Sequence, residues 1–250
     1  HMAAGVRIVP TVWDQLGVPT VSSVYENGDL VNTVAAMPSL HAAYPFMLLL
    51  FFWGTGRRVR AGLALYTVAM AYAAFADAPV DVAVVEVGMG GSWDATNVID
   101  GDVAVVPPID LDHTDRLGET PGAIAAEKGG IIKQDATVIL AQQPVDAAQV
   151  LLRKAVEVDA TVAREGLEFG VVSRQVAVGG QLVTLRGLGG EYPEVYLPLH
   201  GEHQAHNAAV ALAAVEAFFG VGSQRPEPLD IDAVRKAFAT VSSPGRLEVV

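Results

Sequence analysis

The chain has 250 residues, no cysteine and a formal net charge of −12. Half of it is hydrophobic (51%), only 18% is charged, and its mean hydropathy is +0.36. These values exclude a largely disordered chain and a disulfide scaffold or thiol-based site. They also argue against a nucleic-acid partner, because there is no cationic excess to neutralise phosphates.

Positive hydropathy is unusual in an acidic chain, and its source is local. Residues 1–76 carry four basic and three acidic residues, net +1, whereas residues 77–250 carry 12 and 25, net −13. The first lysine is Lys128, and His1-Met2 reads as a cloning remnant. Two uncharged runs, Ala42–Trp53 and Ala61–Ala76, flank the arginine-bearing turn Gly54–Arg60. This pattern predicts an apolar helical hairpin within 1–76. Each run is shorter than the roughly 20 residues that cross a bilayer, although the flanks could extend it. Two readings follow. In one, the chain is membrane-associated through 34–76 with its arginine loop on the cytoplasmic side; in the other, the hairpin is buried in a soluble core.

From residue 77 the pattern changes to short valine-rich runs alternating with helical segments. Val82–Val87 reads as a buried strand ending in Gly88-Met89-Gly90-Gly91, and Val103–Val106 as a second strand. Thr120-Pro121 is an N-cap and first-turn pair for a helix stopped at Gly129. Thr137–Leu140 is a third strand and Asp146–Val158 an amphipathic helix. Val172–Val178 and Gln181–Arg186, joined by Gly179-Gly180, predict a hairpin. Glu202–Phe219 is a long alanine-rich helix, and Asp230–Val241 a shorter one capped by Asp230. The order predicts an α/β fold with a mostly parallel sheet flanked by helices over 77–243.

Four stretches carry residues suited to chemistry. Glu86 closes a strand beside Gly90 and Gly91, where open α/β sheets bind ligands and where glycine lets backbone approach a phosphate or metal. The bland alternative is a strand-end turn with a satisfied acid. Asp112-His113 offers oxygen and imidazole ligands, and Lys128 a phosphate partner or modified ligand; a capped loop and a solvated helix end are the alternatives. Asn207 opens the long helix with an amide able to read a nucleobase edge, set against a simple histidine cap. Arg246 is a candidate phosphate clamp, set against a linker arginine.

In combination, VEVGMGGSWDATNV, LDHTDRLGETPGAIAAEKGGIIK, LPLHGEHQAHNAAVA and SSPGRLE resemble the folylpolyglutamate synthase/dihydrofolate synthase family of the Mur ligase superfamily, over about residues 70–250. The resemblance implies a cytoplasmic ATP- and Mg²⁺-dependent ligase. ATP phosphorylates a carboxylate of folate or dihydropteroate, and the amine of L-glutamate then attacks the acyl phosphate. It implies that Glu86 and His113 hold Mg²⁺ and that Lys128 is carbamylated to support a second metal, with Lys128 and His113 serving catalysis. Asn207 would contact adenine, Arg246 the phosphates, and Gly90 and Gly91 would lie in the nucleotide site. There are departures. None of the four lysines follows glycine, so no Gly-Lys-Ser/Thr phosphate loop exists. Ser92 stands where the family usually has arginine. The domain is therefore expected to be truncated, with residues 244–250 starting a linker to a further domain, and turnover is not expected.

Ala36–Pro45 (AMPSLHAAYP) resembles the second motif of the type-2 phosphatidic acid phosphatase superfamily. That resemblance implies phosphate binding by Ser39 and leaving-group protonation by His41. The alternatives to a ligase are thus a membrane phosphatase or phosphotransferase fragment, or a non-catalytic chimeric fusion joined near Tyr66–Ala76. No lysine precedes Lys128 for the first phosphatase motif, and no later histidine has the nucleophile's context, so phosphatase activity is not expected.

Overall fold

The computed structural model describes residues 56, 59, 62, 63, 66, 69, 70, 82–111, 114–222 and 227–242. The chain separates into two compact units, His1–Gly88 with Asp94–Val98, and Met89–Trp93 with Ile99–Val250. In the smaller unit Val59, Gly62, Leu63, Tyr66, Ala69 and Met70 are helical. The rest of the apolar hairpin, with Ser39 and His41, lies outside the described residues. Among the described residues no helix is long and apolar enough to cross a membrane.

The expected strand Val82–Val87 is not formed. Only Ala83 makes a β-bridge, and Val84 is 59% exposed. A valine-rich run becomes a buried strand only when neighbours take up its backbone N–H and C=O groups, and among the described residues no ladder does so. Further on, Asp94 Oδ1 accepts bonds from Thr96 N (2.9 Å) and Thr96 Oγ1 (2.6 Å), opening a 3₁₀ turn over Ala95–Val98.

The larger unit begins with three parallel strands in sequential order: β1 (Val103–Val106), β2 (Thr137–Leu140) and β3 (Thr161–Arg164). Parallel neighbours need crossovers. The first runs through α1 (Thr114–Leu117) and α2 (Pro121–Lys128), the second through α3 (Val145–Glu157). Thr120 caps α2 as its sequence predicts, accepting from Ala123 N at 3.2 Å. Gly129 ends α2, and the chain continues as one 3₁₀ turn, Gly129–Ile131. Alternation along the strands divides the apolar residues between two faces. Ala104, Val106, Val138 and Leu140 pack with Ile124, Ala147 and Leu151 of α2 and α3. Ile139 and Ala163, joined by Val103 and Val105, face the other way.

That second face is covered by α4 (Glu202–Phe218), which also packs against an antiparallel meander: β4 (Gly170–Ala177), β5 (Gly180–Arg186) and β6 (Glu191–Leu197). Ala205, Ala208, Ala209, Leu212 and Ala213 share one core with residues of both sheets, among them Ile139, Val183, Leu185, Val195 and Leu197. A helix apolar all round is buried on more than one side, and alanine lets both sheets come close. In the β4–β5 hairpin Ala177 pairs with Gly180, so the turn is Val178-Gly179 rather than Gly179-Gly180. Gly179 supplies the left-handed residue (φ +76°). α5 (Ile231–Ala239) lies against β6, capped by Asp230 as expected, with Ala233 N donating to Asp230 Oδ1 at 2.8 Å. Strands β3 and β6 and helix α1 are additions to the elements predicted from sequence.

Candidate functional site

The loop Met89–Trp93 docks on the C-terminal end of α2. Ser92 N donates to the Glu127 carbonyl at 3.0 Å, Ser92 Oγ donates to the same oxygen at 3.2 Å, and Trp93 N donates to Glu127 Oε1 at 3.2 Å. The approach is backbone on backbone. A Cβ on Gly91 would lie 2.5 Å from the Glu127 carbonyl oxygen and 2.8 Å from that of Lys128. A Cβ on Gly130 would collide with Ser92, 2.5 Å from its Cα. At Gly90 (φ +81°) a Cβ would meet the Trp93 ring at 2.9 Å and Glu127 Oε1 at 3.0 Å. Gly90 and Gly91 of the first glycine-bearing motif and Gly130 of the second therefore lie on the two sides of one contact within the larger unit. Lys128, half-buried, is the last residue of α2 at that contact.

Glu86 belongs to the smaller unit and is exposed, not buried at a strand end as its valine neighbours suggest. His113 and Arg246 lie outside the described residues. Gln143 organises the segment running toward residue 113: its Nε2 donates to Pro107 O (2.8 Å) and Val106 O (3.4 Å), and its Oε1 accepts from Ile109 N (2.9 Å). Among the described residues no three His, Asp or Glu side chains come together as a metal cluster.

A second polar assembly lies where β2 and β3 end and α4 begins. α4 has Gly201 (φ +99°) at its N-cap with no side-chain cap, and His203 is exposed, so the alternative of a histidine cap is not realised. Other groups tether this start. Gln181, 1% exposed, donates to Leu199 O (2.8 Å) and Gly201 O (3.0 Å) and accepts from Arg174 Nε (2.5 Å). His206 Nδ1 lies 2.5 Å from Glu165 Oε1, while Glu165 Oε2 accepts from Gln142 N at 3.1 Å. The Glu165 side chain is only 3% exposed. Beside the pair is a cleft of about 120 Å³ floored by Phe169 and edged by Gln142 and Arg186. Asn207, next to His206, is exposed, and its Nδ2 donates to Gln204 Oε1 at 3.3 Å.

The turn that carries Glu165 is closed by a forked ion pair. Arg164 Nη2 reaches Glu168 Oε1 at 2.8 Å, and Arg164 Nε reaches Oε2 at 3.2 Å. The hydrogen bond from Arg164 holds the Glu168 carboxyl below its ordinary value against the opposing effect of burial. The same bond holds the Arg164 guanidinium above its own.

Of the residues expected from sequence, Gly90, Gly91 and Lys128 are brought together, and Asn207 stands on the opening turns of α4. Glu127, Gln143, Gln181, Glu165 and His206 were not singled out. Glu127 and His206 carried a signal, their adjacency to Lys128 and Asn207; Gln143, Gln181 and Glu165 each depend on a partner at least 18 residues away in sequence.

Residues 63–215 match the Mur ligase middle domain. The chain is 61% identical over 186 residues to the dihydrofolate synthase/folylpolyglutamate synthase of Mycobacterium tuberculosis; the match takes in 72% of this chain and 38% of that protein. Its fold matches Mycobacterium tuberculosis folylpolyglutamate synthase complexed with ADP with a TM-score of 0.69 at 59% identity, covering 74% of this chain and 41% of that one. It also matches an FPGS–AMPPCP–folate complex, with a TM-score of 0.69 at 35% identity over 73% of this chain and 44% of that one. The chain thus spans less than half the length of these relatives.

Proposed function

Because the chain belongs to the Mur ligase middle-domain family, we propose that it carries the central part of an ATP-dependent ligase that joins L-glutamate to dihydropteroate or folate through an acyl phosphate. The observation that supports this reading is the seat of Lys128. The loop Met89–Trp93 closes on the end of α2 through contacts that only glycine at 91 and 130 permits. That contact fixes the lysine's backbone, and the residue is half-buried there.

Glu86 fits a Mg²⁺ site. It is an exposed hard-oxygen donor, and Mg²⁺ takes one or two protein ligands beside phosphate oxygens and water. With His113 it would hold the ion, whose chemistry is to neutralise charge on the transferring phosphoryl group. Asn207 would present its amide to adenine, and Arg246 its fork to phosphate. Lys128 would support the site as a carbamate. The 250 residues contain no Gly-Lys-Ser/Thr, so the amide cradle for the phosphates is missing and Mg·ATP binding is expected to be weak.

Calorimetry with Mg·ATP tests the reading. Weak binding lost in Glu86→Ala and in Arg246→Ala supports it, as does ADP release that requires Mg²⁺, L-glutamate and a pteroate or folate together. ADP release indifferent to the folate and the amino acid would sink it.

A further inference from the structure

The structure assigns the Glu165–His206 pair a positioning role: by fixing the rotation of the opening turns of α4 it aims the Asn207 carboxamide, and so sets a preference for adenine over hypoxanthine. The inference rests on the reading of Asn207 as the nucleobase contact.

A helix start leaves four N–H groups without partners and frays unless something holds it. α4 has no side-chain cap. Its start is held instead from two sides: Gln181 grips the carbonyls of Leu199 and Gly201 ahead of the helix, and Glu165 grips His206 within it. Glu165 is a stiff anchor. Its backbone N donates to Leu140 O at 2.9 Å, extending the β2–β3 ladder, and its second carboxylate oxygen is taken by Gln142 N. The side chain has almost no exposed surface. The imidazole is therefore tied to the end of the parallel sheet rather than to a mobile loop. The charged groups around it are Glu165, Glu202 at 3.9 Å from Nε2, and Arg186 across the cleft.

Successive residues of a helix are turned by about 100°. Tethering His206 thus sets the direction of Asn207. Gln204 Oε1 takes one hydrogen of the Asn207 amide. That leaves Oδ1 and the second Nδ2 hydrogen facing solvent as an acceptor and donor side by side. This pair complements the amine and adjacent ring nitrogen of adenine, whereas hypoxanthine puts an acceptor where adenine has its donor. Misdirection of the amide would cost adenine more than hypoxanthine, because the bond from the exocyclic amine to Oδ1 exists only with adenine.

The test is a chemical-shift titration of the ¹⁵N-labelled 250-residue chain with AMP and with IMP, probes whose base contact does not depend on a phosphate loop. Wild type should favour AMP. His206→Ala should lower the ratio of AMP to IMP affinity about tenfold, the worth of the one hydrogen bond that distinguishes the two bases. His206→Gln, whose amide can still donate to Glu165, should restore the preference. A His206→Ala chain that keeps the wild-type AMP/IMP ratio, or that loses both ligands equally without rescue by glutamine, overturns the proposal. If wild type binds neither nucleotide, the nucleobase reading of Asn207 fails. The positioning role is then decided by hydrogen exchange at residues 205–208 and by the Asn207 side-chain amide resonances. Faster exchange and shifted resonances in His206→Ala, both restored in His206→Gln, support it; unchanged values overturn it.

Discussion

At the Lys128 end of the larger unit, two backbones meet with nothing between them, and any side chain at Gly91 or Gly130 would collide with main-chain atoms. At the α4 end the chain is held by buried side chains instead. Glu165 and Gln181 tie down the helix start, and Glu216 ties down its last turn, accepting from Leu188 N (2.5 Å), Gly189 N (3.2 Å) and Tyr192 Oη (2.7 Å). Tyr192 Oη in turn accepts from Leu229 N at 2.8 Å, which brings in the segment before α5. The first kind of contact demands the absence of a side chain and the second demands particular ones. They should therefore break under different substitutions: enlargement at one end, truncation at the other.

The sharpest test of that contrast is Glu216→Ala. It leaves two N–H groups and a phenol without their acceptor inside the core, and it should cost about 3–5 kcal/mol of stability in urea denaturation. Next comes Gly91→Ala. Backbone atoms cannot swing aside as a flexible side chain can, so the loop must lift, at about 1–3 kcal/mol. The amide resonances of Ser92 and Lys128 should move with it, while those of α4 stay in place. If instead Gly91→Ala is neutral, or Glu216→Ala costs less than Gly91→Ala, the distinction between the two ends fails. Thr120→Ala removes the cap of α2 and should cost about 1 kcal/mol in thermal denaturation, without disturbing the Gly91 contact.

The smallest effect concerns the turn that carries Glu165. Its Glu168 carboxyl is held below the ordinary value by Arg164. The stabilisation this provides is present above the value of the unfolded chain, and it is lost as pH falls through the depressed folded value. The stability difference between wild type and Glu168→Gln should thus be measurable near neutrality and close on acidification. A difference that persists in acid would assign the effect to packing.

The two ends also differ in how far they could be read from the residues alone. Glycine clusters, the Thr120 and Asp230 caps and the alternation of Val103–Val106 and Thr137–Leu140 are local signals, and each marks a feature that forms as expected. Val82–Val87 reads as a strand by composition, but strand propensity expresses itself only with neighbours to pair, and among the described residues only Ala83 of that run makes a bridge. β6 was overlooked because Pro193 interrupts its run and because Glu194, at φ +56°, departs from extended geometry. Glu165, Gln181 and Glu216 look like surface residues by type. Each is buried because a partner distant in sequence supplies its hydrogen bonds, and no spacing rule encodes such a partner.

The place of α4 between two sheets also sets an order of events during synthesis. β1, β2 and β3 leave the ribosome long before Glu202. Until α4 follows, the sheet face carrying Val103, Val105, Ile139 and Ala163 has no cover. The meander is in the same position, with Val183, Leu185 and Val195 waiting for the same helix. A nascent chain that has emerged from the ribosome only as far as His200 would hold two half-built layers with bare apolar faces, the kind of surface that chaperones recognise and that drives aggregation. Emergence of that helix converts both layers to a closed core in one step, so this unit should fold once residues 202–218 have left the ribosome rather than strand by strand.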